Sequence, residues 1–416
     1  RSTRELTVTP FLRGVEWGQS AFPFETDIHS GPFFPNAGTH RGPFPARQPA
    51  MKRFFQTYLL PGFVFEAAVI GGGYATGREL VEFFLPAGPW GGLLGMVVSM
   101  LVWSVVLAIS FELARLARAY DYRSFFKVLL GRGWFLFEIA YFLLMVVILA
   151  VMGAAAGEIA NNLFGVPRLV GTLGMIAATG LLLFQRNAGI EKFLALSVGY
   201  LYLVYLVFLV WSTLVFGDRI AANFEAHPVG SNWFTAGVTY AGYNVACIPA
   251  VLFCVRHLGR RREAIGAGLL AGPLGMLPGM VFYIAMMGYY EEIGAVALPS
   301  AFLLGKLGAP WFEWAFQFAV LLTLVDTGVA LLHAINERVA GIYAERQQPM
   351  PQVLRPALSV GLMLLSVYAA SAVGLVALIA QGYGILTYAF IALLIVPVLT
   401  IGLWKICMPP AEWTPA

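Results

Sequence analysis

The sequence predicts an all-α membrane protein of about ten transmembrane helices, arranged as a five-plus-five inverted repeat with helices 1 and 6 broken. Three observations carry that prediction. First, 59% of the 416 residues are hydrophobic and 12% are charged, with a mean hydropathy of +0.77, a balance that soluble enzymes do not show. Second, the apolar residues gather in segments of about 20 residues or more, long enough to cross a bilayer. They lie at about 57–85, 90–118, 134–161, 167–185, 189–216, 231–256, 263–289, 310–345, 354–372 and 375–404, and are numbered here as spans 1 to 10. Third, a stretch between spans 2 and 3 recurs between spans 7 and 8. Lipid cannot satisfy backbone polar groups, so such segments are helices, and their uniform apolarity excludes the alternating strands of an outer-membrane barrel.

Residues 1–50 stand apart from this pattern. They hold seven prolines (Pro10, Pro23, Pro32, Pro35, Pro43, Pro45 and Pro49) and scattered charges, and no run long enough for a span or signal peptide. They read as disordered. Met51-Lys52-Arg53 directly before span 1 leaves two readings open, a flexible tail or an upstream extension of the reading frame. Residues 51–405 form the membrane domain, and 406–416 a short cytoplasmic tail.

Span 1 contains VIGGGYATGRE, residues 69–79. Glycine inside a helix costs about 1 kcal/mol relative to alanine, and an ionised side chain near the bilayer centre about 2.5 to 3.5 kcal/mol. Gly71, Gly72 and Gly73 are explained if the chain unwinds there, exposing carbonyls to a cation and amides to an anionic group. The alternative is close helix packing through small residues. Span 6 favours unwinding: TYAGYNVACIPA (Thr239 to Ala250) clusters Gly242, Asn244 and Pro249 at mid-span.

The recurrence is YRSFFKVLLGRGWFLFEIAYFLLMVV (122–147) beside LPSAFLLGKLGAPWFEWAFQFAVLLT (298–323). Ser-x-Phe, Leu-Leu-Gly, Trp-Phe and Phe-Glu return about 175 residues later, the mark of an internal repeat. Each copy joins the second and third helices of a five-helix half, with repeat one at about 57–216 and repeat two at about 231–405. Five is odd, so the second half enters the membrane from the opposite side, as in many secondary transporters.

The net charge is +4, and its placement matters more than its size. Arg115, Arg118, Arg123, Lys127, Arg132, Arg186, Lys192, Arg256, Arg260, Arg261, Arg262, Arg338, Arg346 and Arg355 follow spans 2, 4, 6 and 8, whereas Arg168, Arg219 and Lys306 sit on the other side. With Lys52, Arg53 and Lys405, this places both termini in the cytoplasm and the protein in the plasma (inner) membrane. HLGRRRE (257–263) reads as a topology anchor rather than an anionic-lipid or nucleic-acid patch. Cys247, Cys254 and Cys407 show no metal-ligand spacing and no sign of a structural disulfide. HExxH, GxSxG and P-loop signatures are absent, which argues against an enzyme or an ATP-driven pump.

With IGGGYATGRELVEFF in span 1, GIEKF opening span 5 and VDTGVALLHAINE in span 8, the sequence resembles the YkvI-like amino acid permeases of the amino acid-polyamine-organocation superfamily. It thereby looks like the five-plus-five fold of the bacterial leucine transporter. The resemblance covers Met51 to Lys405. It implies a solute pocket between spans 1, 3, 6 and 8, and in sodium-coupled members a cation between span 1 carbonyls and span 8 hydroxyls. Proton-coupled members place a titratable or cationic side chain there. The Asp-Pro-Gly and Met-Pro-His motifs of the metal-ion branch are missing, which argues against transition-metal transport. Arg78 resembles the outer-gate arginine, but span 10 offers Gln381, Tyr383 and Thr387 and no acid. Glu158, at the outer end of span 3, is the candidate gate partner.

The candidate solute-binding residues are Gly71, Gly72, Gly73, Tyr74 and Thr76 of span 1 and Tyr240, Tyr243 and Asn244 of span 6, which offer backbone groups, aromatic faces and an amide. Asp326 is the only mid-span aspartate, and Thr323, Asp326 and Thr327 share a helix face. With the Ile70 carbonyl they form the ion-coupling candidates, as oxygen ligands for Na⁺ or with Asp326 as proton carrier. A buried structural ion pair is the other reading of Asp326. His333, about 10 Å further along that face, reads as relay, inward-exit or interfacial core residue. Glu66 faces the inward pathway or caps a neighbouring helix, and Glu79 and Glu82 form an outer vestibule or a solvated, Arg78-paired face. The expected function is secondary active transport of a small zwitterionic or anionic organic solute, an amino acid or derivative, coupled to Na⁺ or H⁺. No cofactor is expected beyond a bound Na⁺. A receptor or sensor, or an uncoupled facilitator, is the alternative.

Overall fold

The computed structural model describes residues 50–184 and 188–408, and every regular element among them is helical. The expectations for residues 1–49 and for the tail after Met408 fall outside the described residues. Span 1 follows a short helical lead-in at Ala50–Phe54 and a wide turn at Phe55–Leu59. It is three helices in series, α1 (Leu60–Val69), α2 (Gly72–Thr76) and α3 (Arg78–Phe84). Pro61 starts α1, where its missing N–H costs nothing. Pro86 and Gly88, the latter at φ +79°, reverse the chain into α4 (Gly88–Ala117). Next come α5 (Tyr122–Leu130), α6 (Trp134–Phe164), α7 (Arg168–Phe184), α8 (Ala188–Val215) and α9 (Gly217–Ala226).

The second half repeats this plan. Span 6 is α10 (Trp233–Asn244), a tight turn over Val245–Ala250 and α11 (Leu252–Val255). Then follow α12 (Arg261–Met286), α13 (Pro299–Leu307), α14 (Pro310–Glu345), α15 (Leu354–Val373) and α16 (Leu375–Cys407). The recurring sequence is structural: α5 and α13 are each nine residues long. They stop at Gly131 (φ +56°) and Gly308 (φ +67°), where a left-handed residue ends a helix at little cost only if it is glycine. Each then feeds a long helix, α6 of 31 or α14 of 36 residues.

Spans 1, 2, 3 and 4 each pack against their repeat partner, spans 6, 7, 8 and 9 respectively. The tightest approach is between α4 and α12. A Cβ at Gly268 would enter the backbone of Ala108, and one at Gly272 would meet Ser104 and Met100. Small residues let these backbones close up, and the Ser104 hydroxyl donates to the Leu269 carbonyl at 3.0 Å.

Among the described residues six helices are long and apolar enough to cross a membrane, or seven if the pair Tyr200–Val215 and Gly217–Ala226, bent by 69°, is one span. Spans 1 and 6 fall outside that set because they are broken, and span 4 because it is short. Leu206, Leu214, Trp311 and Leu364 are among the large apolar side chains exposed on the outside of the bundle, as a lipid-facing surface requires.

Two expectations are corrected in position. Span 1 breaks twice, at Ile70-Gly71 and again at Gly77. In span 6, Gly242 does not break the helix. It lies within α10, where a Cβ would press on Thr387 and Ile391 of α16, and the helix changes only at Val245.

Candidate functional site

The first break is made by an extended backbone at Gly71 (φ −94°, ψ −170°) after Ile70 (ψ 75°). Among the described residues the Ile70 carbonyl accepts no backbone hydrogen bond, and the Gly71 N–H donates back to the Val69 carbonyl at 2.7 Å. The second break is Gly77 at φ +82°, with Phe282 and Pro299 packed where a Cβ would stand. It redirects α3 so that the Glu79 side chain lies over Gly73, in direct contact with the place of a Cβ there. Glu79 is 3% exposed and accepts a 2.5 Å hydrogen bond from the Tyr243 hydroxyl of α10. Span 1, just past its second break, and span 6, just before its turn, therefore meet through one carboxylate and one phenol.

Aromatic rings close around this pair. Tyr243 stacks on Tyr383 of α16 at 4.5 Å and on Phe83 at 5.6 Å. Tyr240 stands edge-on to Phe83, Phe84 and Tyr243, and its buried hydroxyl has no hydrogen-bond partner. The turn of span 6 is tied to α1 by Cys247, whose thiol donates to the Ala68 carbonyl at 3.4 Å.

The other predicted solute residues divide. Thr76 bonds back to the Gly73 carbonyl at 3.0 Å, and Asn244 to the Tyr240 carbonyl at 3.1 Å. Tyr74 is fully buried and turns to α12, donating to Gly275 at 3.3 Å. Gly72 begins α2. Glu66 is buried beside the Tyr202 hydroxyl of α8, with its Oε2 lacking a hydrogen bond.

On α14, which packs against α2, Asp326 and Thr327 are half-buried. Asp326 accepts no hydrogen bond among the described residues, and it is not paired with Arg78. Thr323 donates to Ala319 of its own helix at 3.0 Å. His333 is half-buried further along α14. Among the described residues no three His, Cys, Asp or Glu side chains gather as metal ligands.

The gate pairing differs from expectation. Glu158 pairs with Arg168 at 2.8 Å, across the turn from α6 to α7. Arg78 instead pairs with Glu82 one turn along α3, at 2.8 Å, and donates to the carbonyls of Gly294 and Val296 at 2.9 and 3.1 Å. Neighbours on one helix face outcompete a partner on a distant helix. Above the clamp lies a cavity of about 310 Å³ lined by Arg78, Val81, Glu82, Leu85, Pro86, Tyr290, Glu291 and Gly294. The sequence left Glu79 and Glu82 as an outer vestibule or a solvated, Arg78-paired face; Glu82 does pair with Arg78, whereas Glu79 points into the centre. The signal available was the lone Gly77, two residues before it. Tyr383, considered only as a gate residue, joins the central rings.

No protein-family model matches the chain. It is similar to the uncharacterized membrane protein YkvI of Bacillus subtilis, at 23% identity over 334 residues, covering 79% of this chain and 92% of that protein. Among solved structures it matches the Eremococcus coleocola manganese transporter, with a TM-score of 0.56 and 15% identity, covering 86% of this chain and 81% of the other. It also matches MhsT in complex with L-phenylalanine, with a TM-score of 0.52 and 14% identity, covering 85% and 97%. The paired broken helices, the inverted repeat and these matches agree: the chain is a multi-span membrane protein, a sequence relative of YkvI, with the fold of the manganese transporter and MhsT.

Proposed function

We propose that the protein is a secondary active transporter that moves a small organic solute, an amino acid or a derivative, by alternating access coupled to Na⁺ or H⁺. The observation that carries this reading is the meeting of two broken, repeat-related helices at a buried carboxylate and phenol. Broken helices place polar backbone where lipid would otherwise forbid it, and that backbone is retained where it lines a solute path. The aromatic lining of the centre favours an organic solute. Asp326, half-buried in the helix that packs on the break, is the proposed coupling group, as a Na⁺ ligand with the Thr323 and Thr327 hydroxyls and the Ile70 carbonyl, or as a proton carrier. Arg78 and Glu82 form the proposed outer gate below the 310 Å³ vestibule, and Glu66 and His333 line the inward path.

The plasma membrane is the proposed location, with both termini cytoplasmic. Contacts between Arg53 and Glu263, Arg338 and Glu138, and Lys405 and Val128 join the basic connections at one end of the bundle, as the positive-inside rule requires. A thermal-shift screen of amino acids and related metabolites tests the proposal, each run with Na⁺ and with an inert cation from about pH 5.5 to 8. A ligand that stabilises the wild type only with Na⁺ or within a pH window, and fails to do so in Asp326→Asn, supports it. Ligands that bind without any ion or pH linkage, equally in Asp326→Asn, would make a facilitator or a sensor the better reading.

A further inference from the structure

Helix α5 and the residues just after it form a basic patch on the rim of the bundle, and we infer that this patch holds the phosphate headgroup of an anionic phospholipid. The inference stands apart from the transport reading, since it concerns the wall of the bundle and not its centre.

The patch has a rigid base because α5 is amphipathic and anchored along its length. Phe125, Phe126 and Leu129 are buried. Phe126 stacks on Phe137 at 3.5 Å, and Phe137 stands edge-on to Phe390 of α16 at 5.7 Å. Asp121 caps the helix start by accepting from the Ser124 N–H at 2.9 Å, and Lys405 donates to the Val128 carbonyl at 2.6 Å.

The basic side chains of this helix converge. Arg123 and Lys127 stand one turn apart, and both approach the same indole: the Arg123 guanidinium lies 4.7 Å and the Lys127 ammonium 5.5 Å from the centre of the Trp134 ring, within cation–π range. Arg132, exposed two residues before that ring, adds a further charge. The nearby acids are committed elsewhere, Asp121 to its cap and Glu138 to the Tyr122 hydroxyl and Arg338. Among the described residues Lys127 and Arg132 make no ion pair. The patch therefore carries an excess of positive charge.

Its depth identifies the anion. Directly beyond Trp134, the side chains of Phe135, Leu136, Ile139 and Leu143 are exposed along α6, an apolar wall that acyl chains cover. A tryptophan at the edge of such a wall marks the headgroup level, and basic residues gathered there attract anionic headgroups. Dissolved phosphate would meet only the charges, whereas a phospholipid matches the charges and the wall together. The run Arg260 to Arg262 lacks this combination: Glu263 stands beside it, accepts from the Gly259 and Arg260 amides and pairs with Arg53.

Native mass spectrometry of the purified full-length protein at fixed ionic strength tests the inference, with dioleoyl phosphatidylglycerol, dioleoyl phosphatidylcholine and sn-glycerol 3-phosphate as probes. Phosphatidylglycerol is expected to fill one saturable site at least about tenfold more tightly than phosphatidylcholine, and glycerol 3-phosphate to show no measurable binding. Lys127→Gln and Arg132→Gln should each weaken phosphatidylglycerol by about fivefold, and together by about 30-fold. Both side chains are exposed, so these variants should keep the wild-type thermal midpoint. Arg261→Gln with Arg262→Gln removes equal charge from the same end of the bundle and should change the affinity by less than about twofold. Absent phosphatidylglycerol binding, equal binding of phosphatidylcholine, or wild-type affinity in the Lys127→Gln, Arg132→Gln double variant would overturn the inference. So would an equal loss in the Arg261, Arg262 variant, which would point to net charge alone, or glycerol 3-phosphate binding as tight as the lipid's, which would point to a simple anion site.

Discussion

Gly77, Gly73 and Glu79 decide the chemistry of the centre between them. Gly77 holds φ +82° against Phe282 and Pro299. Alanine there costs about 1 to 2 kcal/mol for the left-handed backbone and about 1 to 3 kcal/mol for overpacking, so Gly77→Ala should lower the thermal midpoint in detergent. An unchanged midpoint would show that α2 and α3 do not need this turn. At Gly73 a methyl group would take the place of the Glu79 carboxylate, so Gly73→Ala should break the bond to Tyr243. A double-mutant cycle reads this out: Tyr243→Phe should cost about 1 to 3 kcal/mol in the wild type and close to nothing once Gly73→Ala is present. Additive losses would mean that the carboxylate keeps its place. The run Gly71 to Gly73 was legible as a break because three glycines in a membrane helix demand an explanation. Gly77 was not, since a lone glycine reads equally as a packing residue, and with it went the direction of Glu79. Helical spacing alone put Glu79 beside Glu82.

The helices and their connections were legible wherever apolar length or repetition marked them. The recurrence of Leu-Leu-Gly became the glycine-terminated helices α5 and α13. By contrast α9 was missed: GDRIAANFEA is polar and amphipathic, so it breaks no apolar run and makes no motif. It is held at the end of the bundle opposite Arg53 and Lys405. Asn223 donates to the Met287 carbonyl at 2.7 Å, and His227 bonds to Glu291 at 2.8 Å and to the Asn223 carbonyl at 3.0 Å. The Tyr290 ring lies 4.4 Å from the imidazole. The Asn223 carbonyl and then Glu291 raise the His227 pKa above the usual imidazole value. A raised folded-state value means that the imidazolium contributes to docking below the ordinary pKa and that this contribution fades as pH rises through the folded one. Hydrogen exchange of amides 217–227, corrected for intrinsic rates, should therefore be slower at about pH 5.5 than at pH 8.5, and His227→Gln should erase the difference. Equal protection at both pH values would show that Asn223 alone carries the contact.

Across the whole molecule, the odd number of helices per half was enough to infer inversion, and the structure gives it physical form in repeat partners that pack against one another. The composition alone settled the all-helical membrane class, because lipid leaves the backbone few choices. What the sequence could not yield was which polar groups meet. Glu158 with Arg168 and Glu79 with Tyr243 depend on turns of a few residues whose direction no periodicity encodes, whereas Arg78 with Glu82, one turn apart on one helix, was among the readings the spacing offered. The same geometry raises a claim about the molecule as a machine, that a gradient drives solute through the centre where spans 1 and 6 break. Accumulation of radiolabelled L-leucine, or of the ligand found by thermal shift, into proteoliposomes carrying an imposed Na⁺ or pH gradient tests it most directly. Uphill accumulation that collapses when the gradient is dissipated, and that is lost in Asp326→Asn, is the result expected. Gradient-independent equilibration, the same in wild type and Asp326→Asn, would contradict coupled transport.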